Sequence, residues 1–163
     1  RRTAAYLVDI VLLFGVLAPL GIGVQALLGY QPQTPFAVWL EIFVNFSIPV
    51  WLYFTLFESS SRRGTPGKRL LKLHVNGPDG QLSWPRALAR TAIKLLPWEL
   101  VHLSGFAVAV DFETLSALQT GGLLLANLLV LVYYGLVILN DGKKSLHDLI
   151  TNTQVNLISE APT

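Results

Sequence analysis

The sequence predicts an all-α membrane protein: a bundle of four transmembrane helices with a small cytoplasmic β-hairpin or sheet. Three observations predict it. Charged residues make up 13% of the 163 residues, against roughly 25% in soluble domains. Mean hydropathy is high, at +0.52. Apolar residues gather into four blocks, at about 4–28, 36–57, 87–110 and 122–139, and a helix needs about 20 residues to cross the hydrocarbon core. The whole chain, 1–163, reads as one domain.

Block one begins after Arg1 and Arg2 and is uncharged except for Asp9. Its apolar run exceeds the 7–15 residues of a signal-peptide core, so it reads as a span. The sequence has no methionine, even at position 1, and its natural start is expected upstream. An aspartate inside a span costs about 2.5–3.5 kcal/mol on insertion, which the surrounding Leu, Ile, Val and Phe residues offset. Asp9 lies seven residues, about 10 Å, beyond Arg2 on nearly the same helix face. It is expected to face protein or water. A structural pair with Arg90 or Lys94 and a proton or cation site both stay open.

Block two (FAVWLEIFVNFSIPVWLYFTLF) carries Glu41 and Asn45 one turn apart. Glu41 is expected near the outer surface and Asn45 in an interhelical hydrogen bond. Next come Arg62, Arg63, Lys68, Arg69 and Lys72, and then RLLKLHVNGPDGQLSW. Leu71, Leu73 and Val75 alternate with Lys72 and His74, the period of a half-buried strand. NGPDG is a turn cluster, and QLSW is expected to return, giving a hairpin over 69–84. Ser83 is expected to cap block three.

Block three is the weakest span. Arg86, Arg90 and Lys94 share one face and suit an interfacial position. Pro97 predicts a tilt or break, and Glu99 and His102 read as an outer-interface pair. In block four Asn127, Tyr134 and Asp141 recur every seven residues as a packing stripe. TQVNLI alternates again and predicts a strand over 153–158. Basic residues flank alternate ends of the blocks. Arg1 and Arg2, the central loop, and Lys143 and Lys144 fall on one side, while the other connections carry no basic residue. This predicts four crossings with both termini cytoplasmic.

Most site chemistry is excluded. With no cysteine, disulfides and thiolate sites are impossible. TPGKRLL lacks the glycine spacing and the Lys-Ser/Thr step of a phosphate loop. His74, His102 and His147 lack metal-binding spacing. No nucleophile context accompanies His147–Asp148. Neither an enzyme nor a cofactor is expected, and nucleic acid is not an expected partner.

Three segments recur together in one known family: RTAAYLVD (Arg2–Asp9), TPGKR (Thr65–Arg69) and SLHDLITNT (Ser145–Thr153). The combination resembles the RDD family of bacterial membrane proteins, over nearly the whole chain. Arg2 and Asp9 match its arginine and first aspartate. Asp148, beside His147, matches the second aspartate. Thr65, Gly67 and Lys68 match the middle motif, and Arg90 matches a basic residue at the start of the third segment. Asp141 matches the family's acid after the last helix, displaced by one residue. The resemblance implies a multi-pass protein of the bacterial inner membrane. It also implies transport, with cation–proton exchange associated with some members. In that picture Asp9 is the ion or proton site, shaped by Arg2, Arg90, His147 and Asp148, with a monovalent cation or proton as partner. In the alternative, Arg2, Asp9, Lys68 and Asp148 form a structural clasp in a scaffold, an accessory subunit or a module for anionic lipid headgroups. Homo-oligomerisation stays open.

Overall fold

The computed structural model describes residues 1–29, 31–107, 114–140 and 144–158. Asp111, Glu113 and Asp141, and the end of block three, lie outside the described residues. Among the described residues, three helices are long and apolar enough to cross a membrane: α1 (Arg2–Leu28), the continuous pair α2 (Pro35–Ile42) and α3 (Ile48–Ser59), and α6 (Ala117–Leu139). α2 and α3 are joined by a π-turn at Phe43–Ser47. Pro49 explains it. A proline on the next turn cannot donate to the carbonyl four residues back, so the helix relaxes locally without breaking.

α5 (Trp84–His102), extended by a π-turn at Leu103–Ala107, occupies block three. It also carries Arg86, Arg90, Lys94, Glu99 and His102, and this charge sets it apart from the other three. It stays helical through Pro97, which is buried. The carbonyl of Ile93, deprived of its usual donor by Pro97, receives a hydrogen bond from the Tyr133 hydroxyl of α6. A neighbouring helix thus satisfies the freed backbone group. Ser83 does stand at the N-cap, but its side chain makes no capping bond.

The surface and interior fit a lipid solvent. Val11, Leu27, Leu131 and Ile138 point outward. Among the described residues, fully buried polar side chains outnumber apolar ones. One apolar cluster, Leu13, Val50, Phe54 and Leu95, joins α1, α3 and α5. A second, Val75, Leu82 and Ala87, packs with Val155 beside the sheet. The polar layer lies around their junction.

Between α3 and α5 run the short helix α4 (Pro66–Leu70) and strand β1 (Leu73–Asn76). Leu73 and Val75 are buried, as the alternation predicts. The expected return strand is a correction. β1 pairs antiparallel with β2 (Gln154–Leu157), in the register Leu73↔Leu157 to Asn76↔Gln154. NGPDG closes with a bridge between Gly77 and Gly80. Leu82 then plugs the second cluster, and Gln81 Nε2 donates to the Ser59 carbonyl at 2.6 Å. The chain is drawn straight into α5, with no length left to pair back. The C-terminal segment, delivered by α7 (Leu146–Ile150), takes that edge instead.

Tyr133→Phe should lower the stability of the detergent-solubilised protein by about 1–3 kcal/mol, the usual cost of orphaning a buried acceptor. A thermal melt unchanged from the parent would show that the Ile93 carbonyl needs no partner.

Candidate functional site

Asp9 sits on the third turn of α1 and is buried. Its carboxylate accepts three hydrogen bonds, and all three donors are neutral. Tyr53 Oη on α3 donates at 2.6 Å, Thr65 Oγ1 at 2.5 Å and the Gly67 backbone N–H at 2.8 Å. Neither Arg90 nor Lys94 pairs with it, so of the two readings left open by the sequence the direct ion pair is not the one formed.

The middle motif explains itself residue by residue. Thr65 is the N-cap of α4; its hydroxyl accepts from the Lys68 N–H while donating to Asp9. Gly67 lets α4 lie directly on α1. A Cβ there would collide with the Ala5 carbonyl oxygen and come within 2.8 Å of Asp9 Oδ1. Lys68 then points the other way, to Glu58.

Glu58 closes α3 and is wholly buried. Three cations meet its carboxylate: Lys68 Nζ, Lys94 Nζ at 3.2 Å and Arg90 Nη1 at 3.1 Å. Lys94 also stands 3.3 Å from the centre of the Phe54 ring, a cation–π contact. Arg90, buried in mid-layer, carries the network onward. Its Nη2 reaches Asp148 Oδ1 at 2.6 Å and its Nε reaches Thr153 Oγ1 at 3.1 Å. One planar guanidinium thereby joins the end of α3 to α7 and to the residue just before β2.

Asp148 is equally saturated. It pairs with Arg2 of α1 as well as Arg90. Its Oδ2 also accepts the Ser145 N–H and hydroxyl, each at 2.9 Å. This is the back-reaching half of a capping box, in which an acid at the third helical position bonds the cap residue's backbone. Burial works to raise the Asp148 carboxyl. The charges of Arg90 and Arg2 and the Ser145 N–H overcome that and hold it well below the usual carboxylate range. His147 goes the other way for a base. Burial, then the charge of Arg90, hold its imidazole well below its usual value, so it stays neutral with Ser145 Oγ 2.8 Å from its Nε2. Burial also lowers the Lys68 ammonium, with Glu58 acting against it.

A cavity of about 400 Å³ adjoins this layer. α1, α5 and α6 form its walls, and Arg2, Asp9, Lys68, Arg90, Lys94 and His147 mark its polar end. Arg2, Arg90, His147, Asp148, Asp9, Thr65, Gly67 and Lys68, all named from the sequence, thus converge on one end of the bundle. Glu41 and Asn45 do not. They sit half-buried on α2 and the π-turn, outside the cavity wall and the network. Glu99 meets Ser47 Oγ at 3.0 Å and Trp51 Nε1 at 2.9 Å, while His102 Nδ1 lies 2.9 Å from the Trp98 carbonyl; they do not pair with each other. Asn127 and Tyr134 face the cavity instead of forming a closed seam. Sequence reasoning missed Glu58. The signal was indirect: Arg90 and Lys94, one turn apart inside an apolar block, require a carboxylate opposite.

The family model of the RDD family matches residues 1–152. No curated protein and no solved structure matches the chain.

Gly67→Ala should push α4 off α1 and strip Asp9 of two donors, costing roughly 3 kcal/mol, at the upper end of overpacking penalties. Gly15→Ala on the same helix, where an added Cβ meets nothing within 4 Å, is the control and should be neutral or slightly stabilising. Equal melting temperatures for the two variants would contradict the close approach.

Proposed function

The chain belongs to the RDD family of membrane proteins, and from that premise we propose that it is a non-catalytic membrane module whose buried charges clasp an extramembrane cap onto a helical bundle. The cap is α4, the two-stranded sheet and α7. In this reading α5 is the fourth crossing, with Arg86 at the interface. Positive-inside bias puts both termini and the cap on the cytoplasmic side of a bacterial inner membrane. The module would serve as a scaffold or accessory subunit, presenting the cap in a fixed pose.

The observation that carries the reading is Arg90, which is buried and bridges Glu58 to Asp148, themselves buried. Removing one member of a buried ion network leaves uncompensated charge, at a cost of about 3–5 kcal/mol. Such a site suits holding rather than passing ions. A transported cation at Asp9 would have to compete with three donors that already occupy most of the carboxylate's acceptor sites.

Cation–proton exchange through Asp9 is the second reading, favoured by the contact of Asp9 with the cavity. Ion flux in proteoliposomes separates the two. The clasp predicts no proton-coupled flux from the parent protein and a strongly lowered melting temperature for Arg90→Met. It also predicts partial recovery in Arg90→Lys, because a lysine cannot serve both carboxylates with a rigid fork. Proton-coupled cation flux abolished in a well-folded Asp9→Asn would overturn the clasp in favour of exchange.

A further inference from the structure

We infer that the cavity between α1, α5 and α6 binds the phosphate headgroup of an anionic lipid, with the lipid's chains leaving between α1 and α6. This goes beyond the clasp, which concerns how the cap is held.

The polar end of the cavity gathers four cations, Arg2, Lys68, Arg90 and Lys94, against three carboxylates, Asp9, Glu58 and Asp148. Lys68, Arg90 and Lys94 line it and meet Glu58, and Arg90 also pairs with Asp148; both carboxylates stand behind the cations and off the wall. Arg2 lines it too and is engaged by Asp148. The one acid among the described residues on the wall is Asp9, whose carboxylate already accepts three hydrogen bonds from neutral donors. Cations gathered from α1, α4 and α5 around a space of about 400 Å³ form a site for an anion bearing several acceptor oxygens. Trp98 strengthens the case: it lines the same cavity, and its buried indole N–H has no hydrogen-bond partner among the described residues. A buried donor left unpaired calls for an acceptor.

The remainder of the wall is apolar and leads outward. Val101, Val130 and Val137 line it. Val130 is 39% and Tyr134 54% exposed, so the α6 side of the cavity continues into the surface that faces lipid. A cationic end joined to an apolar, laterally open wall matches an amphiphile. A free phosphate compound would share the cationic end but leave that wall unused.

The test uses the full chain, purified in neutral detergent and stripped of lipid, with melting followed as phosphatidylglycerol, phosphatidylcholine or inorganic phosphate is added. Phosphatidylglycerol should raise the melting temperature saturably by several degrees, and phosphatidylcholine should not. Lys94→Gln leaves Glu58 with Lys68 and Arg90 and should weaken the apparent affinity at least ten-fold. Val130→Trp, which fills the cavity from a partly exposed position, should do the same and decides alone if Lys94→Gln does not fold. Arg62→Gln, at an exposed site off this wall, should retain the full shift. A shift with inorganic phosphate but none with phosphatidylglycerol would overturn the lipid assignment and point to a soluble phosphate compound. No saturable shift, or one undiminished in both cavity variants, would overturn the site itself. The clasp is judged separately, by melting of Arg90→Met without added lipid.

Discussion

A guanidinium cannot stand inside a helical bundle unless carboxylates meet it, and the arrangement around Arg90 follows from that requirement. Taking an ion out of water costs several kcal/mol even after relaxation. Arg90 is 1% exposed, so both its faces must be answered. Glu58 answers from α3 and Asp148 from α7, and Thr153 takes the remaining Nε–H. Each carboxylate brings further cations with it, Lys68 and Lys94 on one side and Arg2 on the other. α1, α3, α4, α5 and α7 each contribute a charge at this end of the bundle. Such a network adds less to net stability than its distances suggest, because attraction and desolvation nearly cancel. It does penalise any arrangement in which one segment is missing.

The TPGK turn couples this layer to Asp9. Thr65 and Gly67 bind Asp9, and Lys68, the next residue, binds Glu58. The aspartate deep in α1 is therefore a docking point for a helix start, satisfied by hydroxyl and amide donors. A small helix held there fixes where β1 begins, and β1 in turn fixes the edge to which β2 pairs. The first and last motifs of the chain, 146 residues apart, then meet directly through Arg2 and Asp148.

Periodicity and composition revealed the apolar helices and the strand at Leu73–Asn76, because both are local. The convergence of the motif residues was legible through the family resemblance. What the sequence concealed was partnership. Glu58, at the end of an apolar block before a serine run, looks like any interfacial acid, and nothing local marks it as buried. Asp9 suggested a charged partner, since hydroxyls and amides carry no signature in a sequence. NGPDG suggested a hairpin, but the turn served to drop Leu82 into the core, and a strand about 80 residues away filled the edge. Pro97 suggested a break; the hydroxyl of Tyr133, on another helix, prevents it. In each case the deciding contact is long-range.

The most direct test of the central claim is hydrogen exchange by mass spectrometry in nanodiscs, comparing the parent with Glu58→Gln. If one buried network holds the cap as a unit, amide protection should fall together in residues 65–76 and 145–157, although the ion-pair partners of Glu58 are Lys68, Arg90 and Lys94, none of them on β2 or α7. Loss of protection confined to the end of α3 and to α4, with 145–157 unchanged, would show that the two halves of the cap are held independently and that Arg90 does not couple them.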